Sequence, residues 1–92
     1  MNDYLNAAIN ELSAGNLTEA EALLNKAIEA NPQNAEAYFN RGKVKRQRGN
    51  FSEAINDFQK ALDINPNYNQ AKVSIEMVKR IISFRNPDLY NP

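Results

Sequence analysis

Five of the chain's eleven basic side chains stand between Arg41 and Arg48, in the stretch NRGKVKRQRGN at residues 40–50. A cationic run of that density could hold phosphate groups or acidic peptide side chains. Other residues suited to chemistry are sparse. Ser13, Thr18, Ser52, Ser74 and Ser83 carry hydroxyls, but the chain has no histidine to activate one as a nucleophile. Glu19 and Glu21 fall at the start of a predicted helix, where interaction with the helix dipole accounts for them. Thr18 and Ser52 are expected to cap helices, Thr18 in a capping box with Glu21. Without cysteine or histidine the usual metal ligands are missing, and no carboxylate cluster or glycine-rich phosphate loop replaces them. The inventory predicts a non-enzymatic protein with no cofactor and no metal.

The elements that position the cationic run set its meaning. Ninety-two residues make one small domain. The net charge is zero, but residues 1–40 carry one basic and six acidic side chains, and residues 41–92 carry ten basic and five acidic ones. Such a dipolar chain could favour head-to-tail contacts, weakened by physiological salt. A neutral domain with no aromatic ladder beside its charges argues against nucleic acid. No run of about 18 apolar residues is present, so no membrane span is expected. The opening MNDYLNAAINEL lacks the basic start of a signal peptide, and no cysteine calls for an oxidising compartment. The expectation is a cytoplasmic protein.

Shifted by thirty-four residues, the chain overlays on itself without a gap. Tyr4 meets Tyr38, Gly15-Asn16 meets Gly49-Asn50, Glu19-Ala20 meets Glu53-Ala54, Lys26-Ala27 meets Lys60-Ala61, and Asn31-Pro32 meets Asn65-Pro66. Leu24/Phe58 and Ile28/Leu62 are conservative matches in the same register. Each unit reads as two helices with apolar residues at helical spacing, broken by Gly-Asn in the middle and Asn-Pro at the end. Residues 69–85 read as a lone helix with Ala71, Ile75, Val78 and Ile82 on one face. Five helices are predicted, near 2–14, 18–30, 35–48, 52–64 and 69–85, with no strand.

The pattern resembles the tetratricopeptide repeat family, in a small bacterial-type form. The resemblance rests on Tyr38, Gly42, Ala54, Phe58, Ala61 and Pro66 in the second unit, and on Tyr4, Ala8, Ala20, Leu24, Ala27 and Pro32 in the first. It implies an all-α solenoid of stacked helix-turn-helix hairpins with a right-handed superhelical path. One domain would cover 1–85: repeat one at 1–34, repeat two at 35–68 and a capping helix at 69–85, followed by an 86–92 tail. In the tail region Phe84, Leu89 and Tyr90 could fold back over apolar surface.

At about 100° per residue, Arg41, Lys45 and Arg48 share one stripe, and Lys43 and Arg46 lie on another beside Phe39. By resemblance, the first stripe faces the repeat's second helix and Arg41 pairs with Asp57. The second stripe falls on the family's concave surface. That surface would be lined by Asn6, Ile9 and Leu12, then Phe39, Asn40, Lys43 and Arg46, then Val73, Ser74, Met77 and Arg80. It suits an extended or helical peptide with apolar and acidic residues. Members that clamp a chaperone's C-terminal carboxylate use cations and asparagines at positions held here by Leu5, Ile9, Asn40, Gln70 and Ser74. Only Asn40 agrees, so that function is not implied. The expected function is protein–protein interaction through the groove, with a protein or peptide as partner. The alternative is a homo-oligomeric scaffold stacking through an apolar edge left by the incomplete third repeat.

Overall fold

The structure, a computed structural model, describes residues 3–85. It contains α1 (Tyr4–Ser13), α2 (Leu17–Ala30), α3 (Ala35–Gln47), α4 (Phe51–Ile64) and α5 (Asn69–Arg85), and no strand among the described residues. The expectation for Leu89 and Tyr90 lies outside those residues.

The two Gly-Asn breaks act by one mechanism. Gly15 and Gly49 both adopt φ +82°, which glycine reaches without a Cβ clash. The Gly15 and Asn16 N–H groups donate to the Leu12 and Glu11 carbonyls at 3.1 and 2.8 Å. Gly49 and Asn50 donate in the same way to Arg46 and Lys45 at 3.0 and 2.8 Å. This paired closure satisfies two carbonyls in the last turn of α1 and two in that of α3, and turns the chain directly into the next helix.

That early turn overturns the expected capping box. α2 begins at Leu17 and α4 at Phe51, with Asn16 and Asn50 in the capping positions and no side-chain cap bond at either. Thr18 and Ser52 therefore lie inside their helices. Asn16 donates instead to a Glu11 carboxylate oxygen at 2.7 Å. Thr18 Oγ1 accepts from Arg48 at 3.1 Å, and Glu21 is also paired with Arg48.

The Asn-Pro breaks form side-chain turns. Asn31 and Asn65 are extended, as residues before proline must be, and each Oδ1 accepts the N–H two residues on at 3.1 Å. Asn34 then caps α3 by accepting the Ala37 N–H at 3.1 Å.

Each helix packs on the next in chain order, and α1 also touches α3. The interior forms two apolar clusters. One joins Ala8, Leu12, Ala20, Leu24 and Ala27 to Ala37 and Val44 of α3. The other joins Phe39 to Ala54, Phe58 and Ala61 of α4 and to Ala71, Ile75, Val78 and Ile82 of α5. α3 thus belongs to both clusters and ties the hairpins together. Within the second hairpin the approach is close enough to require glycine. A Cβ on Gly42 would lie 2.6 Å from the Phe58 ring.

Candidate partner-binding groove

The cationic run divides as its helical phase predicts. Arg41 donates through Nε and Nη2 to both carboxylate oxygens of Asp57, each at 2.9 Å, and through Nη1 to Asn25 of α2 at 3.0 Å. The bidentate bond to Asp57 is the main reason the guanidinium pKa is raised, against an opposing contribution from burial. Lys45 lies 3.2 Å from Glu53 and 3.5 Å from Asp57, and Arg48 lies 3.6 Å from Glu21. These three cations tie α3 to the helices on either side of it. Lys43 and Arg46 have no ion-pair partner among the described residues. Lys43 rests over the Phe39 ring, 5.4 Å from its centroid.

Of the eleven residues expected to line a groove, the structure buries four: Leu12, Phe39, Asn40 and Ser74. Leu12 packs against α2. Asn40 is buried, and its amide donates to the Glu36 carbonyl of its own helix at 2.8 Å. Phe39 was expected to offer apolar contact, but it is only 9% exposed. Its ring packs against Phe58 and Tyr68, with centroids at 5.6 and 5.0 Å. The reason is local: Tyr68 occupies the position of the Asn34 cap and covers Phe39 where repeat one has only an amide. Burial, followed by the nearby Glu36 charge, raises the Tyr68 phenol above its ordinary value.

Ile9, Lys43 and Arg46 are half-buried, and Val73, Met77 and Arg80 are exposed. An open depression of about 420 Å³ lies between α3 and α5, lined by Phe39, Lys43, Asn69, Gln70, Val73 and Ser74. Lys43 is the charged residue of that lining, and Arg46 follows it one turn along α3. Asn69 and Gln70 were missed as lining residues. Their place at the first turn of α5 becomes legible only once α5 lies beside α3.

The edge of the incomplete third repeat differs from expectation. In repeat two, Arg41, Gly42 and Lys45 face α4. The equivalent α5 positions hold Ile75, Glu76 and Lys79, and Lys72 stands at the position of Tyr38. Ile75 is covered by the existing core, and the other three are exposed charges. The edge where a sixth helix would pack is charged. Among the described residues, the exposed large apolar ones are Val73, Met77 and Phe84, at 57%, 47% and 90% exposure.

A family model described as tetratricopeptide repeat matches residues 5–69. Among solved structures the chain is similar to the Arabidopsis OM64 TPR domain, at 30% identity and a TM-score of 0.81. That alignment covers 84% of this chain and 64% of the other, so this chain spans less than two thirds of that domain's length. No curated protein matches. No helix among the described residues is long and apolar enough to cross a membrane. With the family model running through both hairpins and into the first residue of α5, this chain belongs to the tetratricopeptide repeat family.

Proposed function

We propose that the chain is a non-enzymatic interaction module that takes a peptide segment, or a surface element of a partner protein, along the face shared by α1, α3 and α5. The observation that carries this reading is the division of the cationic run. Arg41, Lys45 and Arg48 are engaged inside the fold, and Lys43 and Arg46 are left beside the depression that separates α3 from α5. Unpaired cations next to Val73 match a segment carrying both acidic and apolar side chains. Phe39 is mostly buried in the wall, so Val73 and the Lys43 stem supply the apolar surface. We place the module in the cytoplasm, in keeping with a cysteine-free chain. Zero net charge, with three of the five clustered cations already engaged, favours a protein partner over nucleic acid. Stacking through the incomplete third repeat has less support, because Lys72, Glu76 and Lys79 stand where the next helix would pack.

The test titrates isotope-labelled full chain with two twelve-residue peptides, one combining Leu and Glu and the other Leu and Lys. The acidic peptide should shift Lys43, Gln70, Val73 and Ser74. Lys43→Gln with Arg46→Gln should weaken it about tenfold at low salt and flatten its salt dependence. Shifts confined to exposed positions on α2 and α4, such as Glu29 and Lys60, would overturn the groove reading.

A further inference from the structure

Val73, Met77 and Phe84, the exposed large apolar residues among those described, all lie on α5. At 100° per residue they fall within about 40° of one another, on the side opposite Ala71, Ile75, Val78 and Ile82. Arg80 and Ile81 fill the interval, so the spacing is four, three or four, then four or three, which is that of a helix–helix seam. Met77, Arg80, Ile81 and Phe84 surround an open depression of about 370 Å³. Four residues at i, i+3, i+4 and i+7 make the hole that receives one knob from a facing helix. Beside the stripe lie Glu76 and Arg80, neither with an ion-pair partner within 4 Å among the described residues.

From this arrangement we infer that α5 is the contact surface for a second copy of the chain, in an antiparallel, two-fold pairing centred between Val78 and Lys79. The pairing follows from the register. With the two-fold at that point, Val73 faces Phe84 of the other copy, a small side chain against a large one. Met77 faces the hole formed by Met77, Arg80, Ile81 and Phe84 across the axis, and its flexible thioether suits such a socket. Glu76 comes within one residue of level with Arg80 on the same flank of the seam, and because the contact is isologous the ion pair occurs twice. Parallel pairing would instead set Glu76 against Glu76 and Arg80 against Arg80. Lys79, near the axis in sequence, lies about 140° from the stripe and does not face its own copy. Because the stripe points away from each core, the two bodies stand on opposite sides of the seam. The seam is about 16 Å long at 1.5 Å per residue, so the buried area is small and the dimer is weak.

Sedimentation equilibrium of the full chain, without peptide, from micromolar to millimolar concentration tests this. A monomer–dimer equilibrium is expected, and a monomer throughout overturns the inference. Met77→Glu should raise the dissociation constant at least tenfold with unchanged helical circular dichroism, since the residue is exposed. Glu76→Arg and Arg80→Glu should each weaken the dimer, and the two together should restore it to within about threefold of the original. A dimer indifferent to these changes uses another surface. The cysteine-free chain allows a test of direction. Val73→Cys mixed with Phe84→Cys should cross-link faster than either variant alone, and faster self-cross-linking would overturn the antiparallel register. Lys43→Gln with Arg46→Gln should leave the dimer unchanged, which separates failure of this pairing from failure of the groove.

Discussion

Repeat one and repeat two solve one packing problem with different side chains. At the close crossing of the first hairpin the chain has Ala8 and Leu24, and at the same positions of the second it has Gly42 and Phe58. All but Gly42 are fully buried side chains, and Gly42 leaves room for a ring that a Cβ would strike at 2.6 Å. Bulk removed from one helix reappears on its partner, so the helices can approach alike. A second pair differs in kind. Ala7 and Leu23 of repeat one, an exposed alanine and a half-buried leucine, become Arg41 and Asp57 in repeat two, joined by a bidentate ion pair. The difference follows from position. Arg41 stands between two hairpins and reaches Asn25 of the first as well as Asp57 of the second. A residue between two hairpins can therefore tie both together through one side chain.

The largest expected effect comes from breaking the ion pair. Arg41→Met leaves Asp57, whose side chain is 8% exposed, with only Lys45 at 3.5 Å. It should cost about 2 kcal/mol, read from the denaturant midpoint. Arg41→Met with Asp57→Leu copies the apolar solution of repeat one and should recover most of that loss, because a buried pair exchanged for apolar groups is often neutral. If the double variant is as unstable as the single one, the two repeats are not interchangeable at this position.

A smaller effect is expected at the close crossing. Gly42→Ala should cost about 1 kcal/mol, as overpacking against Phe58 exceeds the gain from replacing a helical glycine. In a Phe58→Leu background the ring is gone, and the same change should become neutral or stabilising. A cycle with no coupling would mean that the two positions do not share space in solution.

The smallest effect concerns Tyr68, which stands where repeat one has the Asn34 cap. Its phenol titrates above the ordinary value in the folded chain, so folding favours the protonated form. The corresponding stability is complete below the unfolded value near 10 and is lost as pH rises through the higher folded value. Tyr68→Phe should remove that alkaline component, measured as the difference in unfolding midpoint between the two proteins across pH 8 to 11. An identical pH dependence would show that the ring is not buried against Phe39.

The all-α repeat architecture was legible because its determinants are local and periodic. Gly-Asn and Asn-Pro punctuation recurs at one interval, and the apolar faces follow the helical period, so element existence and order need no tertiary information. The split of the cationic run was legible for the same reason, since side chains 100° apart cannot share a face. Helix starts were less so. Thr18 and Ser52 have the composition of caps, but the turn closed by Gly15 and Gly49 reaches the helix one residue sooner. The candidate groove was legible only in part. Phe39 has the phase of a groove residue, and the burial that removes it comes from Tyr68, twenty-nine positions away across a helix contact.

By itself, the sequence determined the number of helices, their order, their breaks and the apolar face of each, because these depend on neighbours within a few residues. Tertiary structure decided the partners of the other engaged cations, since the contacts of Lys45 with Glu53 and of Arg48 with Thr18 and Glu21 depend on where the neighbouring helices are placed. It also decided that Phe39 lies inside and that Val73, Met77 and Phe84 remain outside. Burial is a property of what packs on the other side of a residue, and helical phase specifies only the direction in which that residue points.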